Sequence, residues 1–102
     1  IRINLCSISL PMLRLNCFFQ AEEGKFTTAL EAAKALSECS QSHEGVIAYD
    51  VFESATRPDV FLICETWQNS EVLAKHAATP EFEKYVAIIN SCGTLKLEQF
   101  EF

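Results

Sequence analysis

The sequence predicts an α+β domain of split β-α-β type, with two principal helices on one face of a four-stranded antiparallel sheet. Three observations carry this. Apolar residues switch between a period of two and a period near 3.6 in the order β-α-β-β-α-β. A turn signal, Ala55-Thr56-Arg57-Pro58-Asp59, separates two runs rich in β-formers. The length of 102 residues, without a break in composition, fits a single core.

Residues 13–20, LRLNCFFQ, alternate as a strand, with Leu13, Leu15, Cys17 and Phe19 on one face and Arg14, Asn16, Phe18 and Gln20 on the other. Glu22, Glu23 and Gly24 then open a helix. Its Phe26, Ala29, Leu30, Ala33 and Leu36 recur at helical spacing, and it should end before Gly45. The segments GVIAYDVFES and VFLICETWQ flank the Pro58-Asp59 turn and form a hairpin. Asn69 or Ser70 caps a short helix over 70–77. Thr79-Pro80-Glu81 starts another, because it supplies a cap, a proline in the first turn and an acid favoured by the helix dipole. Phe82, Tyr85, Val86 and Ile89 form the buried stripe of that helix, Gly93 breaks it, and TLKLEQFEF alternates as the last strand.

The totals exclude several roles. A net charge of −6, with eight basic residues that form no cluster, argues against nucleic acid and against an anionic membrane surface. No apolar run approaches the roughly 18 residues of a membrane-spanning helix. Five cysteines in strand or helix positions lack the paired spacing of a disulfide framework or zinc site, and they read as reduced, buried thiols of a cytoplasmic protein. Met12 reads as the natural start, so residues 1–11 are expected to be a non-native N-terminal extension and residues 12–102 the domain. The likeness of IRINLC to LRLNCF suggests that the extension could pair as an extra edge strand.

The chain is 49% apolar with eight Phe, and both faces of the strands at 46–52 and 60–67 carry large apolar side chains. A sheet open to water on one side does not need that. The expectation is a homodimer, sheet face against sheet face.

Alternation in VFLICETW places Glu65 with Phe61, Ile63 and Trp67. A carboxylate there must find a partner or hold its proton. It either makes a structural hydrogen bond or an ion pair with Arg14, or it is a polar fixture in a pocket. His76 lies four residues after Val72 and three after Leu73, on the inward side of its helix. It is either core filling or a general base, since imidazole titrates near neutrality. His43 lies in a polar stretch beside Glu44 and is given no role. Asn16 can offer a donor and an acceptor to a ligand or satisfy a strand edge. Trp67 and Tyr49 offer flat walls for an aromatic guest, or simply core. The two histidines are more than thirty positions apart and no Cys or His pairs occur, so no metal site is expected. Three scattered glycines make no phosphate loop.

Together, Gly45 and Tyr49, the Glu65-x-Trp67 pair, His76 at the end of a short helix, and Thr79-Pro80 resemble the antibiotic biosynthesis monooxygenase family, which includes quinol monooxygenases. The resemblance covers about residues 12–102. It implies a ferredoxin-like fold assembled as a dimeric α/β barrel, with a pocket between sheet and helices. It also implies a cofactor-independent monooxygenase that oxidises a phenolic or quinol-type aromatic substrate with O₂. On that reading His76 is the base, Asn16 orients the substrate oxygen, and Glu65 sets the His76 tautomer or holds a water. Trp67, Tyr49 and Phe18 bind the substrate. The haem-degrading branch uses a strand asparagine, a tryptophan and a ligating histidine. Asn16 matches the first, but His76 stands in the tryptophan's place and Val86 in the ligand's, so haem breakdown is not expected. The alternatives are an isomerase of a small phosphorylated sugar on the same scaffold, for which no basic phosphate clamp is evident, and a non-catalytic module that binds an aromatic ligand.

Overall fold

The computed structural model describes residues 11–102. The expected extension therefore lies, apart from Pro11, outside the described residues, as does any pairing of the IRINLC segment. The elements follow in the order β1 (Leu13–Ala21), α1 (Phe26–Ser40), β2 (Val46–Glu53), β3 (Val60–Trp67), α2 (Ser70–Ala77), α3 (Pro80–Ser91) and β4 (Gly93–Glu101). The strands form one sheet in the order β2-β3-β1-β4, every neighbouring pair antiparallel. This is the predicted split β-α-β, ferredoxin-like arrangement.

Strand alternation decides what reaches the core. Leu13, Leu15, Cys17 and Phe19 of β1 lie opposite Trp67, Glu65, Ile63 and Phe61 of β3, and all eight are buried under the helices. Phe19 and Phe61 stack with centroids 4.7 Å apart. Ala29, Ala32, Ala33 and Leu36 face them from α1, where the small side chains let the helix lie close to the sheet. A bulge between Val46 and Ala48 inserts an extra residue in β2. The extra residue reverses the alternation, so that Tyr49 and Val51 face the helices opposite Glu65 and Ile63.

The ends of the helices follow local chemistry. Asn69 caps α2 by accepting from the Val72 amide at 3.0 Å, and Thr79 caps α3 by accepting from the Phe82 amide at 3.3 Å with Pro80 in the first turn. Glu22–Gly24 form a turn ahead of α1, which begins at Phe26 without a side-chain cap, and Gly24 there has φ +79°. Asp59, at φ 60°, closes the β2–β3 hairpin at the expected turn.

On the opposite face of the sheet Phe18 and Phe52 both lie beside Leu62, while Asn16 pairs with Cys64. Phe52 is 54% exposed and Phe100 51%. No helix among the described residues is long and apolar enough to cross a membrane. Cys17 and Cys92 are buried as expected, but Cys39 and Cys64 are only half-buried, Cys64 because it lies on the open face opposite Asn16; these four are free thiols. Beside the start of β1, the Met12 amide donates to the Phe102 carbonyl at 2.8 Å and the Phe102 amide to the Met12 carbonyl at 3.0 Å.

Candidate active site

His76 stands one turn beyond Val72 on α2, and that spacing turns it inward. It is 1% exposed. Its ring packs against Trp67 of β3 at 4.4 Å between centroids, Phe82 of α3 at 5.0 Å and Tyr49 of β2 at 5.6 Å. The Thr79 hydroxyl donates to its carbonyl at 2.8 Å, which ties the end of α2 to the cap of α3.

The His76 Nδ1 lies 2.8 Å from Nδ1 of His43, and His43 Nε2 lies 3.3 Å from Oε1 of Glu81. Gly45 makes this approach possible. Its φ is +80°, and the side chain of Val72 fills the space a Cβ would need. The 43–45 loop can therefore lie flush on α2, with Gln68 donating to the Gly45 carbonyl at 2.9 Å.

A carboxylate only accepts, so His43 carries its hydrogen on Nε2 and donates to Glu81. With His43 neutral, its Nδ1 accepts from Nδ1–H of His76. The lone pair of His76 is then on Nε2, a buried atom without a hydrogen-bond partner. Burial, and to a lesser degree the neighbouring His43, lowers the His76 pKa to about 4, against which Glu81 pulls upward. The resting imidazole is therefore neutral.

Glu65 is 5% exposed and accepts from the Trp67 indole at 2.8 Å. The Cys17 thiol lies 3.9 Å from its other oxygen. Burial raises the carboxyl pKa to about 6, while hydrogen bonds from Trp67, Tyr49 and Cys17 hold it down. Burial and the nearby Glu65 carboxylate push the Cys17 thiol up to about 12 and raise the Tyr49 hydroxyl as well. An ion pair between Glu65 and Arg14 does not form, because Arg14 is on the opposite face, donating to the Thr66 hydroxyl at 3.1 Å.

The structure brings His76, Trp67, Tyr49 and Glu65 together, and leaves Asn16 and Phe18 elsewhere. Their register with Cys64 and Leu62 puts both on the face away from His76, so within one subunit neither shares its surroundings. Glu65, expected beside His76, is bonded to Trp67 instead, and the partner of His76 Nδ1 is His43. A recess of ≈ 260 Å³ adjoins the site, bordered by His43, Glu44, Val72, Lys75, His76 and Thr79. Glu65, Trp67 and Tyr49 form no part of its wall, in contrast to the expected cavity between them. Sequence reasoning missed His43 and Glu81. The available signal was that a buried imidazole needs a partner, but choosing between Glu65 and His43 required the loop's approach to α2.

The topology and site define a small ferredoxin-like domain with a buried, partnered imidazole. The chain belongs to the antibiotic biosynthesis monooxygenase family, whose sequence profile matches residues 12–88. A Bacillus subtilis protein named "Putative monooxygenase YcnE" is 28% identical over 76 residues, 74% of this chain and 80% of that one. The crystal structure of a Bacteroides thetaiotaomicron protein of unknown function, described as a possible oxidoreductase, is 55% identical with a TM-score of 0.89, covering 92% of this chain and 100% of that one. A Deinococcus radiodurans structure, titled a putative antibiotic biosynthesis monooxygenase, is 20% identical with a TM-score of 0.81 over 88% and 91% of the two chains, a likeness of fold alone. Family membership supports a monooxygenase-like function on a small molecule.

Proposed function

We propose that this protein is a cofactor-independent monooxygenase that oxidises a phenolic or quinol-type aromatic compound with O₂, using His76 as the base. The observation that carries this reading is the His76 imidazole on the border of a recess, with its Nδ1 held by His43 and its buried Nε2 free of any hydrogen-bond partner. A phenol with pKa ~10 is scarcely ionised at neutral pH. A positioned base that takes its proton contributes about 10²–10⁴-fold. The phenolate is electron-rich enough to reduce O₂ directly. For a hydroquinone, the balance is C₆H₆O₂ + O₂ → C₆H₄O₃ + H₂O: one oxygen atom enters the ring, the other leaves as water, and the substrate supplies all four electrons. The recess volume of ≈ 260 Å³ is just below the ~300 Å³ lower end for ligand pockets and favours one-ring substrates. Because His76 is 1% exposed, the substrate displaces a bordering side chain to reach it. Trp67 and Tyr49 back the imidazole rather than wall the guest.

We also propose that a second copy covers the open sheet face. Phe18, Leu62, Phe52 and Phe100 supply apolar area there, and Arg14, Lys96, Asp50 and Glu98 on the same face carry both signs. A twofold pair requires a self-complementary patch, and a face with both signs and an apolar centre is compatible with that.

Oxygen consumption with a panel of hydroquinones and anthrone-like phenols tests the chemistry. The expected result is one O₂ per substrate oxidised, without added flavin or metal, and loss of uptake in His76→Ala. Full activity in His76→Ala would remove the base assignment. Binding of these compounds without any uptake would favour the non-catalytic module.

A further inference from the structure

The geometry points to a proton relay, Glu81–His43–His76, in which His43 accepts the proton that the substrate gives up to His76. The inference rests on the reading of His76 as the base. The chain of atoms is continuous: Oε1 of Glu81 to Nε2 of His43 at 3.3 Å, then Nδ1 of His43 to Nδ1 of His76 at 2.8 Å. Its inner end is the unpartnered Nε2 of His76, and its outer end is Glu81, whose side chain is 39% exposed against 14% for His43.

A relay answers a difficulty that a lone His76 would face. Its surroundings are the rings of Trp67, Phe82 and Tyr49, which solvate a cation far less well than water. An imidazolium formed and kept there would be costly. In the relay the substrate O–H bond breaks and an N–H bond forms at His76 Nε2. In the same event the hydrogen on His76 Nδ1 passes to His43 Nδ1. His76 ends neutral in its other tautomer, and the positive charge comes to rest on His43 against the Glu81 carboxylate. No oxidant takes part, and the phenolate and the His43 cation balance in charge.

The other charged and titratable groups around the pair do not compete for these atoms. Lys75 of α2 pairs with Glu44 at 3.3 Å. Glu65 of β3 lies behind Trp67, bonded to its indole. The thiol of Cys39 on α1 is directed to the Leu36 carbonyl at 3.3 Å. Tyr49 of β2 faces the His76 ring with its centroid 5.6 Å away and makes no hydrogen bond to either imidazole among those of the described residues.

Nitrogen-15 NMR of the histidine rings in the whole protein tests the relay without any substrate. Near neutral pH, His76 is expected as the Nδ1–H tautomer with Nε2 bare. On acidification both rings should change in one step, His43 becoming cationic while His76 turns to the Nε2–H form and stays neutral. A resting Nε2–H tautomer for His76, or a first cation on His76, overturns the relay whether or not the protein oxidises phenols. If wild type consumes O₂, His43→Gln separates relay from positioning, because its amide oxygen can still accept from His76 Nδ1–H but cannot take a proton. The relay requires kcat to fall about 10-fold or more in His43→Gln, with KM little changed and the His76 tautomer retained. Undiminished kcat in that variant, with the tautomer retained, overturns it. Failure of the oxygenase reading would show instead as no uptake by wild type alongside the expected spectra.

Discussion

The Trp67 indole donates to Glu65 two positions back on the same face of β3, across 2.8 Å, and both side chains are buried. The bond satisfies the indole and supports a carboxylate held among Phe61, Ile63 and Trp67. Replacing Trp67 by Phe keeps a ring but removes the donor. A buried acceptor that loses its partner costs about 1–3 kcal/mol. Urea unfolding should show that loss, together with a further rise in the Glu65 pKa; an unchanged midpoint would mean the bond contributes nothing net.

Glu65 and His76 oppose each other in their effect on stability as pH changes. The Glu65 pKa is raised on folding from 4.5 to about 6, so the folded state binds the extra proton and stability falls as pH rises through that window. The His76 pKa is lowered from 6.5 to about 4, so the unfolded state binds the proton and stability rises with pH from about 4 to 6.5. Between pH 4.5 and 6 the two slopes offset each other. In Glu65→Gln, unfolding free energy should climb with pH more steeply than in wild type, and in His76→Phe it should decline relative to wild type. Parallel curves for all three proteins would contradict the burial argument.

Gly45→Ala should destabilise the fold by about 1–3 kcal/mol, since it strains a φ of +80° and drives a methyl into Val72. The same change should pull the 43–45 loop off α2 and break the contact between the two imidazoles. Chemical denaturation gives the first effect, and the ring nitrogen shifts of His76 give the second. A variant as stable as wild type would show that the loop has room to spare.

Phe52→Asp places a charge in the apolar patch of the open face, where Phe52 is already 54% exposed. A lone subunit should tolerate it within about 0.5 kcal/mol. A face-to-face pair should not. Sedimentation is expected to show the variant at 11.5 kDa and wild type at twice that mass. Wild type sedimenting as a monomer would remove the second copy from the proposal.

The element order was readable because α2 and α3 carry their own start signals, α1 an apolar stripe at helical spacing, and β1, β3 and β4 their own alternation. Asn69 and Thr79 cap α2 and α3 as their residue types require, and the Pro58-Asp59 turn falls between β2 and β3. The faces were readable as well. Asn16 shares parity with Arg14 and Phe18, and once β1 pairs with β3 in the observed register it must point away from Glu65. The family resemblance grouped Asn16 with His76 regardless of that parity. The bulge at Val46/Ala48 carries no marking of its own in the sequence, yet it decides that Tyr49 faces inward. His43 could not be assigned, because its contact spans 33 positions and depends on a glycine's left-handed backbone two residues further on.

The reciprocal bonds between Met12 and Phe102 leave residues 12 and 102 side by side as if they flanked a missing hairpin loop. Joining them through a short Gly-Ser connection and reopening the backbone at the exposed Arg57-Pro58 turn would turn residues 12–102 into a circular permutant. All four strands would keep their neighbours, and the two imidazoles, far from both the new join and the new cut along the chain, would remain in contact.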